Sequence, residues 1–375
     1  MALSETLRAD DGIRTRDPHL GKVMRYQLRY VRESSPSPEP GNRHHSRSPQ
    51  VNPKRARTCD DQLMDAIRHV AHSRPEGLSA DPQWLRAGEW LAAGVPDSGP
   101  VDVTLLGVPA HRTSLSPTGA DRTPQAVRAA LWRYSTYAPT RQADLAVLRV
   151  RDLGDVAQPD EHEAETESIV REAAASSRLT VLLGGDNSVT YAGALGCFGA
   201  DLATAGLVTL DAHHDVRDGV SNGSPVRRLV EAGLDPLRIA QVGIADFANS
   251  AVYAKRVTDW GVLVVTAAEV RDRGIAAAMH EAFQVAGRAG GPIYVDLDVD
   301  VCDRAVAPGC PASVPGGLSA DELREAAFIA GMNPRVSAID VAEVDATADA
   351  PDQRTVRLAA LCVLEACAGV TRRPR

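Results

Sequence analysis

A three-layer α/β/α protein, built on a mostly parallel sheet of about eight strands, is what this sequence predicts. Three observations lead there. Apolar runs of five to nine residues recur between residues 101 and 344, helical stretches separate most of them, and several of the runs end on aspartate. Runs that stay apolar at consecutive positions suit strands buried on both faces, and strands alternating with helices give parallel pairing with helices on either side. Ligands then collect in the crevice beyond the carboxyl ends of the strands.

The elements follow in order. "VDVTLLGVP" (101–109) is the first strand, and "TPQAVRAALWRY" is a helix with Thr123 as N-cap and Pro124 at its first position. "LAVLRV", "TVLLGG", "GLVTLDA", "RIAQVGI", "VLVVT", "PIYVDLDV" and "VSAIDVAEV" supply the remaining seven strands. Helical patterns cover 162–178, 224–232, 267–288, 319–330 and 353–369. Residues 1–63 are different. They contain the Pro/Ser/Arg-rich tract "ESSPSPEPGNRHHSRSPQVNPKRART", which cannot bury a core and reads as a disordered basic extension. The stretch "DGIRTRDPHLGKVMRYQLRYV" resembles out-of-frame translation, so a native start at Met64 is expected, leaving residues 64–375 as one catalytic domain.

Charge narrows the function classes. Residues 1–60 hold 12 Lys/Arg against 7 Asp/Glu, while the whole chain is −8, so the remainder carries −13. An acidic body argues against nucleic acid and suits cations held by carboxylates. No apolar run approaches the ~18 residues of a membrane span, and the N-terminus lacks the charged-then-apolar layout of a signal peptide. Six cysteines without CxxC spacing read as reduced thiols, which points to the cytoplasm. There is no GxGxxG or P-loop motif, so nucleotide binding is disfavoured.

Four strand ends carry the chemistry. The third gives Asp186 and Asn187; the fourth Asp211, His213, His214 and Asp215; the seventh Asp296, Asp298, Asp300 and Asp303; the eighth Asp340, Glu343 and Asp345. Residues two apart on a strand share a face, so Asp211, His213 and Asp215 point one way, as do Asp298 and Asp300. Carboxylates so crowded raise one another's pKa unless a cation compensates them. One imidazole among hard oxygen donors suits Mn²⁺ or a similar divalent ion. His214 turns away from His213 by the same alternation and reads as packed or solvated.

At these residues the chain resembles the ureohydrolase family: arginase, agmatinase, guanidinobutyrase and formimidoylglutamase. "GGDNSVT", "DAHHDVRDG", "DLDVDVCDRAVAPGCPASVPGGLS" and "IDVAEVDATAD" carry the resemblance, which extends over about residues 100–370. "SNGSPVRRLVEAG", "QVGIADFANSAVY" and "APGCPASVPGG" look most like formimidoylglutamase-type members. The resemblance implies an arginase-like fold and two Mn²⁺ per subunit. It implies Asp211 and Asp298 as shared ligands, Asp215 completing one ion's shell and His213 with Asp300 the other's. The remaining ligand position, a histidine in the family, is Asn187 here. Three readings stay open there: a weaker amide ligand, a non-ligand beside one loose ion, or a non-catalytic metal-binding homologue. The implied catalytic groups are Asp300 and Glu343, with Glu343 matching the family's substrate-binding glutamate; Asn222-Gly223 stands where arginase and agmatinase usually have His-Gly, and Asn222 and, from its place in the loop after the first strand, His111 are expected to face substrate. The implied reaction is hydrolysis of N-formimidoyl-L-glutamate to glutamate and formamide, with a guanidino hydrolase (agmatinase, guanidinobutyrase or arginase-like) as the alternative. A small amidine or guanidine substrate, no membrane, and a trimeric or hexameric homo-oligomer complete the expectation.

Overall fold

The centre of the sheet is made by the most apolar segments. In chain order the strands are β1 (Ile67–Arg68), β2 (Val101–Val108), a small hairpin β3 (Tyr137–Ala138) with β4 (Ala143–Asp144), and β5 (Val150–Val156). They continue with β6 (Ser177–Gly184), β7 (Gly206–Leu210), β8 (Ile239–Ile244), β9 (Leu263–Thr266), β10 (Ile293–Asp298) and β11 (Val336–Ala342). The computed structural model describes residues 66–70, 72–95 and 99–374, so the expected extension through residue 63 and the start at Met64 lie outside the described residues. Among the described residues nine strands form one sheet, in the order β1-β5-β2-β6-β11-β10-β7-β8-β9. All its pairings are parallel except β1 with β5.

Helices cover both faces: α1 (Ala87–Ala93), α2 (Thr123–Leu131), α3 (Glu163–Ser176), α4 (Val189–Phe198), α5 (Pro225–Ala232), α6 (Ala251–Trp260), α7 (Ala267–Arg273), α8 (Ile275–Ala286), α9 (Ala320–Met332) and α10 (Arg354–Val370). Strand alternation sorts the core into two layers. Val103, Leu105, Leu179, Val181, Leu183, Val295, Leu297, Ile339 and Val341 pack with α2, α8, α9 and α10. Leu106, Leu182, Leu207 and Tyr294 face the other way, onto α3 to α6. Among the described residues no helix is long and apolar enough to cross a membrane.

Four expectations change. "LAVLRV" is not a strand: Leu145–Val147 makes a 3₁₀ turn and the strand is the more polar "VRDLGDV" that follows. Its charges are buried but partnered, Arg151 on the Gly99 carbonyl (2.8 Å) and Asp152 on Arg128 (2.7 Å). Thr123 is not an N-cap; Arg122 precedes the helix, and the Thr123 hydroxyl donates instead to the Val344 carbonyl. The span 267–288 breaks into α7 and α8 at Gly274, whose φ of 83° suits glycine. A ninth strand, β1, caps the edge.

Candidate metal centre

β6, β11, β10 and β7 are adjacent in the sheet yet distant in sequence. The chain crosses from β6 to β7 and on to β9, then returns to lay β10 and β11 into the middle. This reversal is where an open α/β sheet forms its crevice. Asp186 and Asn187 follow β6, Asp211 to Asp215 follow β7, Asp298 ends β10, and Glu343 follows β11.

Local geometry explains how each side chain arrives there. A Cβ on Gly185 would lie 1.8 Å from the Ala110 carbonyl oxygen, so only glycine lets the end of β6 press against the loop after β2. That contact is pinned by the Asp186 amide donating to Ala110 O at 2.8 Å. Asp298 caps the 3₁₀ turn Val299–Val301, accepting the Asp300 amide at 2.8 Å. Asp215 and Glu343 both sit in the left-handed region, with φ of 52° and 61°, conformations that cost of order 1–3 kcal/mol each and cluster at functional sites.

Ligating atoms of Asp211, His213 and Asp300 lie within 4.8 Å of one another. His213 Nδ1 is 3.2 Å from Asp211 Oδ1 and 3.0 Å from Asp300 Oδ2. Asp211 Oδ2 is buried with no hydrogen-bond partner. A cavity of about 210 Å³ is lined by His213, Asp215, Asp298, Asp300, Asn187, Asn222 and Glu343 among others. Seven of the expected residues therefore share one cavity, with Asp211 beneath. His111 does not join them: it lines a neighbouring cavity of about 360 Å³, its Nδ1 3.5 Å from Asp160.

Electrostatics say what the cluster lacks. Burial, then the Asp300 charge, lifts Asp211 to about 7. Burial, then Asp300 and Asp186, lifts Glu343 to about 8. Asp215 and Asp298 rise well above the carboxylate range, chiefly by burial. Burial lowers His213, but Asp300 and Asp211 outweigh it and hold the imidazolium to about 12. That imidazolium in turn overcomes burial at Asp300 and keeps it low. One imidazolium cannot balance this many buried carboxylates; a divalent cation can. The orphaned Asp211 oxygen and a donor set of carboxylates with one imidazole fit a hard ion such as Mn²⁺.

Asn187 is 1% exposed and its amide is fully engaged. Its Nδ2 donates to Asp215 Oδ2 at 2.7 Å and lies 3.5 Å from Asp296, while its Oδ1 accepts from the Thr190 hydroxyl at 3.0 Å. In this orientation the amide steadies Asp215 and turns its oxygen away from the cluster. Below it, Asp296 and Asp340 face each other in register, both fully buried, with Tyr294 donating to Asp340 at 2.7 Å. Asp303 and Asp345 belong elsewhere: they accept backbone amides of Gly316 (2.7 Å) and Gly119 (2.9 Å).

Alternation understated His214. The ring is 5% exposed and lines the same cavity as His213. Its Nδ1 meets Gln241 Oε1 at 2.7 Å, and since the Gln241 amide nitrogen already donates to His214 O, Nδ1 is the donor. The chain leaves strand geometry after Leu210, so a period of two no longer sorts the side chains.

Comparison with known proteins agrees with this geometry. The family model described as the arginase family matches residues 101–369. A formimidoylglutamase from Halalkalibacterium halodurans is 36% identical over 274 residues, covering 69% of this chain and 84% of that protein. The crystal structure of formimidoylglutamase from Bacillus subtilis superposes with a TM-score of 0.74 at 31% identity, over 81% of this chain and 97% of that one. Trypanosoma cruzi formiminoglutamase, solved with two Mn²⁺, gives 0.71 at 27% identity, over 78% of this chain and all of that one.

Proposed function

The chain belongs to the arginase family, and on that premise we propose that it is a hydrolase of linear amidine C–N bonds, converting N-formimidoyl-L-glutamate and water to L-glutamate and formamide. The observation that carries this reading is the buried carboxylate–imidazole cluster at the sheet's reversal, with Glu343 on the wall of the same cavity. In this reading Asp211, His213, Asp215, Asp298 and Asp300, with Asn187 beside them, would hold two Mn²⁺, which would supply hydroxide from bound water near neutral pH and a Lewis acid for the amidine carbon.

The chain's own groups do the rest. Glu343 is fixed by the Asn187 backbone N–H (2.8 Å) and by Asn222 Nδ2 (3.0 and 3.2 Å), so its position does not depend on substrate. A cationic amidinium pairs with that carboxylate and offsets the burial that raises it, which orients the planar carbon. Asp300, on the wall of the same cavity, takes a proton from the attacking water and returns it to the leaving nitrogen. A guanidino hydrolase is the competing reading, because Glu343 and Asp300 would serve any planar cationic carbon. The engaged amide of Asn187 favours, by contrast, a homologue with a weakened ion site. A cytoplasmic trimer or hexamer belongs to the same proposal and is tested by light scattering.

The test is a substrate panel with added Mn²⁺: N-formimidoyl-L-glutamate, arginine, agmatine and 4-guanidinobutyrate, with release of formamide or urea measured. Formamide from the first, well above urea from the others, is expected. Faster urea release from a guanidine overturns the substrate assignment, and no product with no retained metal favours the non-catalytic homologue.

A further inference from the structure

Asn187 lines the cavity, and three residues that do not line it stand behind its amide: Thr190 in the first turn of α4, Tyr294 on β10 and Asp340 on β11. Thr190, Tyr294 and Asp340 are 0% exposed and Asn187 is 1%, so bulk solvent does not compete for their hydrogen bonds.

The Thr190 hydroxyl has two claimants. It lies 3.0 Å from Asn187 Oδ1 and 2.9 Å from Asp340 Oδ2. Both atoms are acceptors, and a hydroxyl has one proton to give. The far end of the amide decides which of them receives it. Asn187 Nδ2 donates to Asp215 Oδ2 at 2.7 Å, which leaves Oδ1 facing Thr190, where it can only accept. Asp340 is served from elsewhere: Tyr294 Oη donates to Oδ2 at 2.7 Å and the Leu297 amide to Oδ1 at 3.2 Å. The Thr190 proton is thereby left to Asn187, and the amide oxygen is held off the carboxylate cluster.

We propose that Tyr294, Asp340 and Thr190 form a relay of positioning residues that keeps the Asn187 oxygen from the cation and so sets how tightly the centre holds it. This rests on reading the cluster as a divalent-cation site. Without the Tyr294 hydroxyl, Asp340 Oδ2 turns to Thr190 for its donor, and a buried carboxylate oxygen takes that proton ahead of a neutral amide oxygen. The Thr190 oxygen then offers only lone pairs to Asn187. The amide turns end for end, gives an N–H to Thr190 and presents a hard oxygen donor to the ion. A substitution remote from the cavity therefore tightens metal binding, whereas damage to the core would loosen it.

The experiment titrates chelator-stripped protein with Mn²⁺ and follows the free ion by EPR. Tyr294→Phe should bind Mn²⁺ about 10-fold more tightly than the wild type. Gly193→Ala reaches the same hydroxyl from α4: its methyl would lie 2.2 Å from Tyr294 Oη, so it displaces that group and should act in the same direction, standing in for Tyr294→Phe if that variant does not fold. Adding Asp340→Asn to Tyr294→Phe should cancel the gain, because the new amide donates to Thr190 and returns its proton to Asn187. In the Asn187→His background Tyr294→Phe should change affinity by less than about 2-fold. Affinity unchanged or weakened in folded Tyr294→Phe overturns the relay. A gain of equal size in the Asn187→His background overturns it too, since the amide is then not the carrier. If the wild type binds no Mn²⁺, the cation-site reading fails and takes the relay with it.

Discussion

Replacing Asn187 by histidine should move metal affinity and metal-free stability in opposite directions. In the metal-free protein the Asn187 amide donates to Asp215 at 2.7 Å and accepts from Thr190, all in a place 1% exposed. Losing a hydrogen bond to a buried carboxylate costs about 1.5–3 kcal/mol, and an imidazole preserves at most part of it. For a domain this size, each kcal/mol is worth roughly 2–4 °C, so Asn187→His should melt about 4–8 °C lower in chelator. With Mn²⁺ present the imidazole gives the ion a nitrogen donor where the amide oxygen points to Thr190. Tightening of about 10-fold, or ~1.4 kcal/mol, is expected. The assays are scanning calorimetry in chelator and a Mn²⁺ titration followed by free-ion EPR. A variant that binds Mn²⁺ no more tightly, or that is more stable without it, refutes the reasoning and leaves Asn187 as a steadying group for Asp215.

Asp298→Asn should abolish retention of Mn²⁺ and turnover, yet melt higher than wild type in chelator at pH 8.5, because burial holds that carboxyl protonated and the amide spares the fold its ionisation as pH rises; a lower melting temperature at pH 8.5 would contradict this. Glu343→Gln should leave metal content intact and cut kcat/KM by about 100-fold or more, since a neutral amide cannot pair with an amidinium; wild-type turnover would remove Glu343 from the site. The pH dependence has a defined sign. Asp211 (about 7), Glu343 (about 8) and His213 (about 12) are all raised in the folded chain, so the folded state binds more protons than the unfolded one. Metal-free stability from these groups is greatest at low pH and declines as pH rises through 7 and 8. Mn²⁺ displaces those protons, so the melting shift on adding Mn²⁺ should be larger at pH 8.5 than at pH 6. An equal or smaller shift at pH 8.5 would show that the protons are not displaced.

The acidic strand ends were readable because each follows a run of apolar residues whose length and bounds nearly match the strand. β5 was not, since Arg151 and Asp152 look like surface residues until Gly99 and Arg128 partner them across the fold. Helix α4 also escaped notice. Its residues are mostly small and buried, with Gly193 against the Tyr294 hydroxyl, so it presents no polar face for a period of 3.6 to mark. At the site, residue identities and alternation placed Asp211, His213 and Asp300 together. They also read His214 as packed or solvated, and it is packed, but they did not show that it lines the cavity, because it lies past the end of β7 where the backbone turns. They could not place His111 either, because the loop after β2 turns it onto Asp160.

The order in which the sheet is filled has a consequence for synthesis. β10 and β11 lie at its middle but are the last two strands made, and they separate β6 from β7. A chain emerging from the ribosome therefore carries, until its final quarter appears, two long apolar edges that have no mate. Unpaired edges of this kind recruit other chains, and non-local pairing of this kind is slow. Translation pauses or truncations before residue 293 should be punished by aggregation, and the carboxylate pocket can close only after them, which makes cation uptake a late checkpoint on a finished molecule.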